Sequence, residues 1–386
     1  MSDTRAIVIG GGYAGVLAAN RLTRQCAVTL INPRPTFVER IRLHQLAAGS
    51  DDAVEGYDSL LHPDVELVVD TAVRIDPDAQ TVTLGSGTEL GYDYLVYAVG
   101  STGAAPAAVP GAAEFACPLG EFEHATQLRD RLSDLPATAP VVVVGGGLTG
   151  IEAAAEFAEA GRHVTLVTDV LGPSLSPGGR RSVTKRLRSL GVTLVEGAAV
   201  TRVRARSVEL TNGRQLPGAL TVWTAGFGVP SLARDSGLST DPLGRLLVDE
   251  TLTSVDHPRI VAAGDAATPS GMPLRMSCQA ALPMGAQAAN TVLARLAGAD
   301  AAELSQVMTG QCVSLGRGGG TIQLSHTDDS VRNLYLGGRV AAVIKEQVCR
   351  GTLGFLRKEA RKPGSYFWIK GGRRARRLAG TPAAAR

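Results

Sequence analysis

The chain has 386 residues, 44% of them hydrophobic and 19% charged, and a formal net charge of +3. That composition excludes a disordered or coiled-coil chain, and at about 100–200 residues per domain the length calls for two or three domains. Five cysteines, Cys26, Cys117, Cys278, Cys312 and Cys349, are scattered without a C-x-x-C pair or a His/Cys cluster, which excludes a zinc site, a secreted disulfide scaffold and a redox dithiol; no metal is expected.

The N-terminus enters an apolar strand directly, with no signal-peptide pattern, and no run reaches the ~18 apolar residues that a membrane span needs. A cytoplasmic protein is expected, soluble or peripheral on the inner face of the cell membrane. Charge is uneven. Residues 357–386 hold ten Lys or Arg against Glu359 alone, a basic end that suits an anionic lipid surface or is simply a solvated, poorly ordered terminus. No nucleic-acid motif accompanies it, so no nucleic acid is expected.

Residues 6–9 form a short apolar strand leading into Gly10-Gly11-Gly12-Tyr13-Ala14-Gly15. An Ala/Leu-rich helix then runs to about residue 24, and a second strand spans 27–31. This is the context of a dinucleotide fingerprint. Gly10 permits the tight turn, Gly12 lets the backbone approach a pyrophosphate, Gly15 lets helix and strand pack closely, and the helix N-terminus presents free N–H groups.

The pattern recurs 135 residues later: strand 141–144, then Gly145-Gly146-Gly147-Leu148-Thr149-Gly150, a helix from Ile151 to about Ala160, and strand 164–167. The return strands end differently. Asn32 closes the first unit with an uncharged hydrogen-bonding group. Thr168 and Asp169 close the second, and a carboxylate there favours NADH because it repels a 2′-phosphate. Arg180 and Arg181 are near enough in sequence to serve NADPH instead.

Three later segments complete a pattern: Tyr92-Asp-Tyr-Leu-Val-Tyr-Ala98-Val-Gly100, Thr221-Val-Trp-Thr-Ala-Gly226, and Arg259-Ile-Val-Ala-Ala-Gly264-Asp265. In this order, with the paired fingerprints, the chain from residue 5 to about 290 resembles the two-dinucleotide-binding flavoproteins of the pyridine-nucleotide oxidoreductase family. The resemblance implies an α/β fold with two Rossmann-like domains, the second inserted in the first, and a small C-terminal α+β interface domain. The expected boundaries are 1–110 and 236–300 for the FAD-binding domain, 111–235 for the NAD(P)H-binding domain and 301–386 for the interface region. FAD is expected on Gly10, Gly12, Ala14, Gly15, Asn32, Arg42, Val73 (at the adenine), Ala98, Gly100, Gly264 and Asp265 (at the ribityl chain). NAD(P)H, with NADH favoured, is expected on Gly145, Gly147, Gly150, Asp169 and Gly226.

Within that family the likeness is to type II NADH dehydrogenases and the apoptosis-inducing-factor group, carried by Gly11-Gly-Tyr-Ala-Gly15, Leu43-His-Gln-Leu-Ala-Ala-Gly49 and Gly150-Ile-Glu152-Ala-Ala-Ala-Glu156. It places residues 42–45 beside the flavin and Glu152 at the flavin–nicotinamide contact, where Glu152 orients the nicotinamide or serves only as a helix-N-terminal carboxylate. Gln279 lines the acceptor pocket or makes an ordinary helix-start hydrogen bond. His44 is a candidate proton donor or an ordinary structural histidine, and Lys345 a candidate for the flavin pocket or a side chain snorkelling from its helix face.

Two departures stand out. Pro283 replaces the second glutamine of the quinone enzymes, and Arg42 and His44 sit where those enzymes usually have apolar or aromatic residues. An anionic or polar acceptor would suit Arg42. The expected reaction is hydride transfer from NAD(P)H to FAD followed by two-electron reduction of a quinone-like acceptor. The alternative is a soluble flavin oxidoreductase acting on a small metabolite or an electron-carrier protein.

After residue 301 the pattern predicts strands over 311–315 and 320–324 and a helix from about residue 339, broken by Pro363-Gly364. Tyr366, Phe367 and Trp368, followed by basic residues, suit a membrane headgroup layer, the protein's own core, or a second subunit in a homodimer.

Overall fold

The computed structural model describes residues 4–103 and 107–371, together with Arg374 and Leu378. Two five-stranded parallel sheets organise them. The first runs, edge to edge, through Ile260–Ala262, Tyr94–Tyr97, Arg5–Ile9, Ala27–Asn32 and Val65–Val69. The second runs through Ala116–Pro118, Leu220–Trp223, Pro140–Val144, His163–Val167 and Thr193–Val195. Each fingerprint strand is central in its sheet, so its β-branched run is covered on both faces. Val141, Val142 and Val143 accordingly have at most 1% of their surface exposed. The first sheet is discontinuous in sequence, because the chain leaves after Tyr97, builds the whole second sheet, and returns at Ile260.

Each fingerprint helix follows its Gly turn, Tyr13–Leu22 in the first fold and Leu148–Glu159 in the second. All ten residues of Tyr13–Leu22 are buried, because the helix is covered by its own sheet and by the long helix Cys278–Leu296. Small residues make that approach possible: a Cβ on Gly285 would lie 2.2 Å from the Ala14 carbonyl oxygen. Pro283 lies inside Cys278–Leu296, where its missing N–H leaves the Gln279 carbonyl without its helical partner.

The C-terminal region is an antiparallel sheet followed by a helix. Strands Gly310–Ser314 and Gly320–Ser325 match the expected pair, and Val331–Gly337 adds a third. The third was not legible because its apolar residues do not alternate toward a core; Val331, Leu334, Tyr335 and Leu336 are all exposed. Helix Gly338–Arg361 follows.

Beyond it the chain crosses the end of the first fingerprint helix as an extended strap. Glu359, fully buried, pairs with Arg21 at 2.7 Å and accepts the N–H groups of Gly364 and Tyr366. Tyr366 packs into the first core and stacks on Trp368, whose Nε1 donates to the Ser305 carbonyl at 2.8 Å. Phe367 and Ile369 point outward at 77% and 67% exposure. The aromatic segment therefore alternates between core and surface. Of the basic end, Arg374 pairs with Glu250 at 2.6 Å; Arg373, Arg376, Arg377 and Arg386 lie outside the described residues.

Candidate functional site

The two Gly turns have the shape a dinucleotide needs. Gly10 has φ +103°, and a Cβ there would lie 2.3 Å from the Ala98 carbonyl oxygen; a Cβ on Gly15 would lie 1.8 Å from Gly10 O. Gly12 instead has no atom within 4 Å of that position, so the start of the helix is open to a phosphate. A cavity of about 300 Å³ extends from this turn past Asn32, Arg34, Tyr57, Ala98 and Gly100.

Asn32 Oδ1 accepts the Gly11 N–H at 2.9 Å and its Nδ2 donates to Arg34 O, so the amide serves the turn itself. Tyr57, which no sequence motif marked, donates its hydroxyl to Gly11 O at 2.8 Å. Asp265 accepts the Ser101 hydroxyl at 2.7 Å, beside Gly264 at φ +78°. Ala14 is buried between Gly264 and Gly285. Val73 is half exposed and not on the cavity wall; Asp70, Thr71 and Ala72 form that part of it. The cradle suits an FAD of which this chain's turn would hold the pyrophosphate.

The second turn repeats the geometry. Gly145 has φ +117°, a Cβ on Gly150 would lie 1.9 Å from Gly145 O, and Gly147 and Gly226 face open space. Thr224 Oγ1 donates to Val144 O at 2.9 Å, fixing the crossing beneath the turn. Asp169 is exposed at the end of its strand. Arg180 donates to Leu175 O, within its own loop and helix.

Between the folds lies a buried polar cluster assembled from four segments. Glu152, in the second fingerprint helix, has Oε1 3.2 Å from Lys345 Nζ of the C-terminal helix and accepts the Ser314 N–H at 2.9 Å. His44, from the short helix Leu43–Ala48, places Nδ1 3.7 Å from Glu152 Oε2. Lys345 also donates to Cys312 O. Burial pushes the Glu152 carboxyl up, but Lys345, then His44 and the Ser314 N–H, hold it below the usual range. Burial works against the Lys345 ammonium as well, yet the Glu152 carboxylate raises it above its ordinary value. The pair is therefore charged.

His44 differs: burial, against the opposing Glu152 carboxylate, takes it from 6.5 to about 4, so it is neutral at neutral pH. Burial also pushes up the thiols of Cys278, Cys312 and Cys349, which share the field of Lys345. Two buried polar atoms beside this cluster, His44 Nε2 and Tyr13 Oη, have no hydrogen-bond partner. Tyr13 is the first residue of the first fingerprint helix and packs edge-on against Phe37 at 5.1 Å.

Arg42 corrects an expectation. It is buried, and its guanidinium contacts Glu346 at 2.9 Å, Glu39 at 3.3 Å, Asp51 at 3.6 Å and the Gln45 amide at 3.0 Å. Three carboxylates already neutralise it, so it is not a free cation for a cofactor or an anionic acceptor. Gln279 bonds Thr309 Oγ1 at 2.6 Å and thereby ties the helix start to the C-terminal sheet. Arg317, unmarked by sequence, donates to Glu156 and to Ser314 Oγ, both at 2.9 Å. It lines an open cavity of about 600 Å³ with Arg339, Val343, Glu346, Gln347 and Arg350. Among the described residues no group of side chains has the geometry to hold a metal ion, and no helix is long and apolar enough to cross a membrane.

Residues 4–289 match the model of the pyridine nucleotide-disulphide oxidoreductases. The chain belongs to this family. An NADH dehydrogenase-like protein of Mycobacterium tuberculosis is 33% identical over 322 residues, covering 75% of this chain and 80% of the relative. The type II NADH:quinone oxidoreductase Ndh of the same organism is 28% identical over 346 residues, covering 78% and 74%. The fold is shared with NDH2 of Plasmodium falciparum, solved with NADH, at TM-score 0.77 and 16% identity over 95% of this chain and 100% of that one. This family member is a pyridine-nucleotide-dependent flavoprotein oxidoreductase with FAD and NAD(H) as cofactors.

Proposed function

We propose that the first fold holds FAD, that the second takes NADH, and that a quinone-type acceptor is reduced beside the Glu152–Lys345 pair. Bound FAD would supply the redox chemistry, taking two electrons as hydride from NADH and passing them to the acceptor. The observation that carries this reading is the buried ion pair bridging the second fingerprint helix and the C-terminal helix, next to the unpartnered atoms of Tyr13 and His44. Glu152 would keep Lys345 protonated and aimed inward. Lys345 would then offset negative charge on the reduced acceptor and supply a proton from Nζ. His44, neutral by burial, would accept a hydrogen bond rather than act as a cationic donor.

Peripheral membrane contact fits one face of helix Gly338–Arg361. Val340, Val343, Ile344, Val348 and Phe355 recur at helical spacing and are exposed, and Arg339, Arg350, Arg357 and Lys358 share the helix with them. An apolar stripe with basic neighbours suits an anionic lipid surface. Val343 also lines the open cavity, so a lipid-borne acceptor would have an approach from that face. A second reading, a polar soluble acceptor or carrier protein, is favoured by Arg317, Arg339 and Arg350 at the cavity mouth.

The test is anaerobic stopped-flow absorbance of the FAD-loaded protein. NADH should bleach the flavin band faster than NADPH, and a short-chain menaquinone analogue should restore it. Restoration by soluble acceptors but not by the quinone would sink the quinone reading and leave the second.

A further inference from the structure

Strand Gly310–Ser314 touches the proposed NADH fold and the Glu152–Lys345 cluster at once. Its outer edge faces away from strand Gly320–Ser325, and there alternate residues present backbone groups. Cys312 O accepts from Lys345, and the Ser314 N–H donates to Glu152. Its side chain at Gln311 reaches elsewhere. Oε1 accepts the Ser174 hydroxyl at 2.7 Å and Nε2 donates to the Ser174 carbonyl at 3.0 Å, using both ends of the amide.

Directly opposite in register is Gln323, fully buried, whose Oε1 accepts the Ser176 N–H at 2.9 Å and whose Nε2 donates to Arg332 O and Leu334 O. Ser176 in turn caps helix Pro177–Ser189 through the Gly179 N–H. The contact is built for close approach: a Cβ on Gly179 would lie 2.7 Å from Gln323 Oε1, and one on Gly178 would lie 2.8 Å from the Tyr335 ring. Ser182 and Thr321 bond across the same interface at 3.1 Å.

Residues 171–176, held by these two glutamines, follow Asp169 at the ribose end of the second fold. They return to its fingerprint through the Gly172 N–H, which donates to Gly146 O at 2.8 Å. An unbroken run of bonds thus joins the C-terminal sheet, the ribose loop and the phosphate turn. A buried amide is costly unless it is satisfied, so two facing glutamines whose carbonyl oxygens both bond the loop specify its position.

We propose that Gln311 and Gln323 are positioning residues for the nicotinamide nucleotide: they hold the 171–176 loop in register with Glu152 and Lys345. This rests on the reading that the second fold takes NADH.

In FAD-loaded protein, Gln311→Ala should weaken NADH about tenfold, as the loss of one or two hydrogen bonds allows, read as the NADH concentration for half-maximal flavin reduction. Flavin content, flavin spectrum and reoxidation of chemically reduced enzyme by the quinone analogue should stay at wild-type values. Ser174→Ala removes one of the two bonds, the hydroxyl on Gln311 Oε1, from the loop side without touching the C-terminal sheet, and should give a smaller loss in the same direction. The double variant should be no weaker than Gln311→Ala alone. Unchanged NADH affinity in Ser174→Ala, additive losses in the double variant, or an equal fall in both half-reactions would overturn the proposal. If NADH fails to bleach even the wild-type flavin, the assignment of the second fold is what fails.

Discussion

The two fingerprints share a geometry and differ in their surroundings. Helix Tyr13–Leu22 is buried along its whole length, roofed by Cys278–Leu296 and tied to the strap through Arg21 and Glu359. The hydrogen-bonding group at its ribose end, Asn32, is 8% exposed and bonded to the turn. In the second fold Asp169 is exposed, and the loop beyond it is held from outside by side chains of another sheet. A site closed in this way suits a cofactor that stays. An open site with a latched loop suits one that enters and leaves each turnover. On the proposed assignment of FAD to the first fold and NADH to the second, what packs around the same Gly-x-Gly-x-x-Gly turn, and not the motif, would set retention or exchange.

The largest effect is expected from opening the first fold. Glu359→Ala removes one partner of a fully buried pair and three further hydrogen bonds, leaving Arg21 uncompensated. It should cost about 3–5 kcal/mol, seen as a lower unfolding midpoint and loss of FAD on gel filtration. Retention of FAD at wild-type stability would mean that the strap does not secure the first fold.

A second test lies where the folds meet. His44 has its folded value lowered from 6.5 to about 4, so between those values the unfolded chain binds a proton that the native state refuses. Stability should therefore be full above about pH 6.5 and fall toward pH 4, by about 3 kcal/mol in total. The depressed Glu152 carboxyl acts in the same direction. His44→Gln should flatten the upper part of this profile in urea unfolding at stepped pH; an unchanged slope would remove His44 as its source.

The third test acts on the proposed NADH site alone. A Cβ at Gly147 meets no protein atom, so Gly147→Ala should fold normally and keep its FAD. The added methyl would displace a dinucleotide approaching the turn, and flavin reduction by low NADH should slow about a hundredfold. FAD loss in this variant would reverse the assignment of the two cradles.

How much of this was legible in sequence follows from range. Both fingerprints and their return strands were readable because turn glycines and flanking apolar runs are local. The buried polar cluster was readable only in part: Glu152, His44 and Lys345 were candidates, but their meeting depends on segments up to 301 residues apart. Ser314 acts through its backbone N–H and leaves no side-chain signal. Arg42 looked available because the carboxylate that matters most to it, Glu346, lies 304 residues away. The glutamine pair was invisible for a related reason. Isolated glutamines in strands carry no motif, and their register became apparent only with the loop they hold.

The smallest expected effect concerns nucleotide choice. Asp169 is exposed, so its repulsion of a 2′-phosphate is screened by water and salt. Asp169→Asn should leave flavin content and NADH-driven reduction nearly intact and improve NADPH by only about two- to fivefold. Arg180 does not enlarge that gain by itself, because its Nε is engaged with Leu175 O and its reach is fixed by the loop that the glutamines anchor. The two variants should act together. If Gln311→Ala frees that loop, Arg180 can swing toward the phosphate, and Asp169→Asn should then favour NADPH by more than it does alone. Paired reduction rates with NADH and NADPH measure this directly, and identical ratios in the single and double variants would show that the loop sets affinity without setting choice.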